Sequence, residues 1–144
     1  ATSPVEDFLE GRFEPVIDDE RSLDRAAVTR VLLHAGKIHW DLAAEVEKNP
    51  NEKVALVRLE QYYPAPIDQL NTILDSYPNA ELYWVQEEPE NQGAWPFIAL
   101  EVVKHLHGRT IKRISRSAAA STATGSPKVH ARQHAEIMEQ ALNF

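Results

Sequence analysis

Two adjacent carboxylates, Glu87 and Glu88, lie in the stretch Gln86-Glu87-Glu88-Pro89-Glu90-Asn91-Gln92-Gly93-Ala94-Trp95-Pro96, which turns abruptly polar after the apolar run Leu82 to Val85. Paired carboxylates can divide acid and base work between them. Neighbours in an extended backbone point apart, however, so Glu87 and Glu88 do not form such a pair by themselves. In one reading a carboxylate reaches across a subunit or domain interface; in the other it caps the next helix or ties down the loop. Gln86, Asn91, Gln92 and Trp95 belong to the same candidate interface or channel loop.

Other groups offer weaker chemistry. His130 and His134 are four apart on a predicted helix, a spacing that suits a metal ion. No glutamate occupies the metalloprotease position between them and the chain has no cysteine, which counts against that reading. His105 and His107 flank Leu106 near a helix end, where imidazole is favourable against the dipole. Lys37, between a strand and a helix, is placed where an anion meets both a cation and helix amides; a solvated loop lysine is the plainer account. Arg113 and Arg116 join it if the strand ends converge. The fingerprints G-x-G-x-x-G, G-x-x-x-x-G-K-[ST] and G-x-S-x-G do not occur in the chain.

The elements that must hold these groups alternate. Val28 to Leu33 reads as a strand, followed by a helix with Ile38, Leu42 and Val46 on one face. Val54 to Leu59 is apolar on both faces, as in a covered parallel sheet. Pro64 and Pro66 open a helix with Ile67, Leu70, Leu74 and Tyr77 as its buried stripe. Leu82 to Val85 is the third strand, Phe97 to Leu106 a helix, and Thr110 to Ile114 a fourth strand near an edge. The Ser/Ala/Thr-rich segment 115–126 is a loop, and Ser126-Pro127 starts a last helix with Ile137, Met138, Ala141 and Leu142 inward. The pattern predicts an α/β three-layer sandwich with a mainly parallel sheet of four to five strands. Residues 1–27 read as an irregular lead-in arm, with Phe8, Leu9, Phe13, Val16 and Ile17 available to pack on a surface, and residues 28–144 as one α/β domain.

The 144 residues suffice for one substantial core, and the formal charge of -7 argues against a nucleic-acid surface. No run approaches a membrane span. The chain starts at Ala1 and its single methionine is Met138, so an excised domain of a longer protein is expected.

The stretch from Gln86 to Trp95 resembles the carboxyl-terminal domain of the thiamine-diphosphate-dependent 2-oxoglutarate dehydrogenase (decarboxylating) family. Asp7-Phe8-Leu9-Glu10-Gly11-Arg12-Phe13, Leu33-His34-Ala35-Gly36-Lys37, Arg58-Leu59-Glu60-Gln61-Tyr62-Tyr63-Pro64, Arg113-Ile114-Ser115-Arg116 and Ala123-Thr124-Gly125-Ser126-Pro127-Lys128-Val129-His130 resemble it in order. Lead-in and tail are most similar to the actinobacterial form, the multifunctional 2-oxoglutarate metabolism enzyme, where a succinyltransferase-like domain precedes the dehydrogenase part. The resemblance implies a transketolase carboxyl-terminal-domain-like fold and a non-catalytic domain of a cytoplasmic tricarboxylic-acid-cycle enzyme. Thiamine diphosphate and magnesium would be held by earlier domains and not by this segment, which alone would be inactive. It further implies contacts with those preceding domains, a homodimer partner, and succinyltransferase and lipoamide components. Acetyl-CoA would act as an allosteric activator, with Arg12 and Lys37 as candidate phosphate-holding cations. Ile67-Asp68-Gln69 is less basic than related chains at that point. The alternative is a stand-alone α/β module that binds a small anion at its strand ends.

Overall fold

A computed structural model describes residues 5–9 and 11–143. The lead-in residues 1–4 and Glu10, and the terminal Phe144, lie outside them. The elements in chain order are α1 (Glu6–Leu9), β1 (Val16–Ile17), β2 (Arg30–His34), α2 (Ile38–Lys48), β3 (Val54–Leu59), α3 (Ile67–Asp75), β4 (Glu81–Pro89), α4 (Trp95–Leu100), β5 (Ile111–Arg116) and α5 (Pro127–Leu142), with a 3-10 turn at Val102–His105.

The strands form one sheet in the order β1-β3-β2-β4-β5. β2 lies parallel to β3 on one side and to β4 on the other, with Leu32 opposite Leu56 and Tyr83. β5 runs parallel to β4, and β1 pairs antiparallel with β3 at the far edge. The mainly parallel α/β architecture expected from the alternation is the one observed.

Side-chain alternation along each strand divides the apolar residues between two cores. Val31, Leu33, Ala55, Val57, Leu82 and Trp84 face one way and meet Leu70 and Leu74 of α3, Ile98 of α4, and Val102. Leu32, Val54, Leu56, Val85 and Ile114 face the other way and meet Ile38, Leu42 and Val46 of α2 and Ile137, Ala141 and Leu142 of α5. Each fully buried leucine, isoleucine or valine contributes about 1.5–3 kcal/mol by leaving water.

Some elements differ from the sequence expectation. The lead-in contains α1 and β1, and Val16 is buried against the sheet. Its pairing is short because Pro15 O accepts from Glu60 N and Gln61 N at 2.9 and 3.2 Å, just before β1, and Pro15 has no N–H to return. β4 runs on to Pro89 through an irregularity between Val85 and Pro89, so Glu87 and Glu88 sit in strand and not in loop. The expected helix Phe97 to Leu106 starts at Trp95 and breaks into α4 and the 3-10 turn. Tyr77 lies just beyond α3 but is buried as expected. The Tyr63–Pro64 peptide is cis.

The topology fixes where a site belongs. β2 connects through α2 toward β3, whereas β4 connects through α4 toward β5 and on the opposite face. The two connections diverge, which opens a crevice above the carboxyl ends of β2 and β4, the usual ligand position in such sheets.

Candidate functional site

β2 ends at His34, and Ala35-Gly36 turns the chain with Gly36 at φ +70°. That turn places Lys37 directly ahead of α2. Lys37 Nζ lies 2.5 Å from Asp41 Oδ2, one helical turn on, and 3.3 Å from Glu87 Oε1 on β4. The carboxylates hold the Lys37 ammonium above its usual range, the Asp41 hydrogen bond most strongly. His134 of α5 brings Nε2 to 3.8 Å from the same Asp41 oxygen. The turn after β2, together with α2, β4 and α5, therefore delivers a lysine, two carboxylates and an imidazole to the crevice.

On the opposite face, Gln86 is only 3% exposed. Its Oε1 accepts from Trp84 Nε1 at 2.8 Å and from Trp95 N at 2.9 Å. Its Nε2 donates into a ring of carbonyls, Gln92 O at 2.8 Å, Pro89 O at 3.0 Å and Glu88 O at 3.3 Å. Gln86 thus folds the 87–95 segment around its own amide. Asn91 and Gln92 clasp the next loop: Asn91 Nδ2 and Gln92 Nε2 donate to Ala119 O, and Ala119 N donates to Asn91 Oδ1. Glu88 is exposed, and Trp95 is half-buried beneath the Arg113 guanidinium, 5.6 Å from the ring centre. Arg113 pairs with Glu90, and Arg116 Nε donates to Glu87 O at 2.5 Å. These arginines brace the strand ends.

Arg12 is paired with Glu14 at 2.6 Å, its side chain 83% exposed. Both candidate anion-holding cations, Arg12 and Lys37, are therefore already engaged by carboxylates. His130 stacks on His134 with ring centres 6.2 Å apart, but it is Asp41 and Glu87 that share a locus with His134.

The sequence reading missed Asp41 and a histidine pair, His34 buried and His39 half-buried. His34 is fully buried, with Nδ1 at 2.9 Å from Leu32 O and Nε2 at 2.9 Å from His39 Nδ1. A carbonyl only accepts, so His34 carries its proton on Nδ1 and His39 donates to its Nε2. Burial pushes the His34 imidazole down to about 4. Asp41 had a readable signal, its i,i+4 spacing from Lys37.

A family model for the 2-oxoglutarate dehydrogenase C-terminal domain matches residues 2–142. The chain belongs to this family. It is 45% identical over 149 aligned residues to the multifunctional 2-oxoglutarate metabolism enzymes of Mycobacterium sp. (strain JLS) and of Mycolicibacterium vanbaalenii, covering 99% of this chain and 12% of each relative. As a 2-oxoglutarate dehydrogenase C-terminal domain, the chain spans a small part of the curated relatives it matches. Its fold is that of a transketolase carboxyl-terminal-like domain, and the Gln86 to Trp95 segment carrying the resemblance is the one organised by the Gln86 amide. Among the described residues, no helix is long and apolar enough to cross a membrane.

Proposed function

We propose that this chain is the non-catalytic carboxyl-terminal domain of an enzyme that decarboxylates 2-oxoglutarate in the tricarboxylic acid cycle, using thiamine diphosphate and magnesium held by other domains of the same polypeptide. The crevice of this domain does not suit the cofactor. A diphosphate needs converging cations and amides, whereas Lys37 here is neutralised by Asp41 and Glu87, which would repel it. The domain's part is to buttress the homodimer and to shape the substrate channel.

The observation that carries this reading is the exposed apolar surface of the lead-in and the β3 end. Phe8, Leu9 and Phe13 are 66–78% exposed, and Tyr63 is 85% exposed. Clusters of large exposed apolar groups mark interaction surfaces. Pro15 leaves the sheet beside Glu60 and Gln61, so the lead-in and the Tyr62-Tyr63 corner emerge together. The preceding domains and a second subunit are the partners assigned to this surface, with Glu88 as its polar rim. Succinyltransferase and lipoamide components would dock on the assembled, cytoplasmic enzyme.

Arg12 and Lys37 are assigned to an allosteric acetyl-CoA site. Both are solvent-exposed cations, and to meet a phosphate Arg12 must leave Glu14 and Lys37 must turn away from Asp41 and Glu87.

The test is made on the full-length protein. Thiamine-dependent release of carbon dioxide from 2-oxoglutarate is expected, and Phe13→Asp with Tyr63→Asp should weaken the dimer and lower turnover together. Acetyl-CoA should raise turnover, less so in Arg12→Ala and Lys37→Ala. Turnover by the isolated 144-residue chain, or full activity and an unchanged dimer in the double variant, would overturn the reading.

A further inference from the structure

We propose that Asp41, Glu87 and His134 form a binding site for a first-row divalent metal ion at the crevice between β2 and β4. The inference rests on side-chain placement and does not depend on the function proposed above.

One ligand atom from each residue lies within 4.8 Å of the other two. Metal–ligand bonds of about 2.1 Å set the edge of a coordination tetrahedron at about 3.4 Å. The Asp41 Oδ2 to His134 Nε2 distance of 3.8 Å is already near that edge. Rotation of the Glu87 side chain supplies the remaining closure. The donors come from α2, β4 and α5, elements fixed by the core that Leu42, Val85 and Ile137 share. The site is therefore assembled by the fold and not by one flexible loop.

The donor chemistry selects the ion. Two carboxylates and one imidazole, with no sulfur, suit manganese, iron or zinc in the divalent state better than calcium or copper(I). Three protein ligands leave positions open for water or a ligand group.

The carboxylates already gather a cation here, the Lys37 ammonium. One lysine leaves the two carboxylates with a net charge of -1. Lys37 is 66% exposed on a flexible stem and can swing aside. A groove of about 790 Å³ between α2 and α5, bordered by Asp41, Glu45, His134 and Met138, gives the ion a path from solvent. His107 and Asp75, 3.1 Å apart elsewhere on the surface, are an ordinary imidazole–carboxylate pair and serve as the internal control.

The experiment titrates the protein with Mn2+ and, separately, Zn2+, following heat and, for Mn2+, the electron spin echo modulation from a coordinated imidazole nitrogen. One saturable site per chain is expected, with the nitrogen modulation present. His134→Ala should abolish that modulation, and His134→Ala, Asp41→Asn and Glu87→Gln should each weaken binding at least about tenfold. Lys37→Ala should tighten binding by about tenfold, because it removes a competing positive charge. His107→Ala should change neither. No saturable binding of either ion, or binding that the three ligand variants leave unchanged, would overturn the site. Nitrogen modulation that persists in His134→Ala would overturn it as well.

Discussion

The Gln86 carboxamide oxygen sits 2.8 Å from the Trp84 indole nitrogen and within reach of the Trp95 backbone amide at 2.9 Å. One buried side chain thereby joins the strand that enters the motif to the helix that leaves it. Gln86→Leu keeps the bulk and removes every hydrogen bond. It strands two buried donors and the carbonyls of Pro89 and Gln92, each costing about 1–3 kcal/mol. A loss near 4 kcal/mol in urea unfolding, followed by Trp84 fluorescence, is the expected outcome. A loss below about 1 kcal/mol would mean that water replaces the amide.

Gly93 and Gly36 share a left-handed backbone, at φ +67° and +70°. A Cβ on Gly93 would stand 3.0 Å from Glu88 Cβ and 3.1 Å from both amide atoms of Gln86, while one on Gly36 would meet nothing within 4 Å. Gly36→Ala should therefore cost about 1 kcal/mol, the conformational term alone. Gly93→Ala should cost about 3 kcal/mol, because it also pushes on an amide that has no slack. Paired denaturation curves check the difference, and equal costs would show that the Gln86 ring of hydrogen bonds yields.

His34 gives the protein a pH dependence of definite sign. Its folded value, lowered to about 4 by burial, lies below the ordinary 6.5, so the unfolded chain binds the proton more readily. The contribution is complete above pH 6.5 and is lost as pH falls toward 4. The full span is worth about 3 kcal/mol. Thermal unfolding of His34→Gln against the parent should show this difference shrinking across the same window. A difference independent of pH would show that His34 binds its proton equally well in the folded and unfolded chain.

Arg30 ties the last turn of α5 to the sheet. Its Nη1 donates to Gln140 O at 2.7 Å and Ala141 O at 3.2 Å, and its guanidinium lies 4.4 Å from the Tyr83 ring centre. The carbonyls at a helix end lack intrahelical partners, and a cation there also meets the negative end of the dipole. Arg30→Met should cost about 2–3 kcal/mol. Amide exchange should accelerate in the last turn of α5 and not in α2. Uniform acceleration would mean that the arginine supports the whole sheet instead.

The sequence made the layers legible because they rest on periodicity. Val54 to Leu59 could be assigned to a doubly covered strand, and Ile38, Leu42 and Val46 to one helix face, from spacing alone. β1 was not legible, since two residues carry no period and the strand exists through contacts to residues some forty positions later. Gln86 was legible only as a member of a candidate interface or channel loop, and its inward-turned amide was not. Only the closed three-dimensional path of 84–95 reveals the five groups it satisfies. Trp95, placed with the candidate interface or channel loop, is half-buried under Arg113, so its truncation should cost less than that of a buried tryptophan. For the histidines, the four-residue spacing brought His130 and His134 together, and the rings do stack. Asp41 and Glu87 lie far away in the chain, on α2 and β4, and only the folded sheet brings them to His134.

The sheet ends in unlike margins. On one side is the two-residue β1, and on the other β5, whose Lys112 and Arg113 are spent on Glu81 and Glu90. So short a ribbon offers little template for another chain, and charged side chains guard the opposite border. Growth of the sheet from molecule to molecule is thereby discouraged at both borders. The assembly proposed above, through surfaces such as Phe13 and Tyr63, would then be made side chain to side chain and not by adding strands.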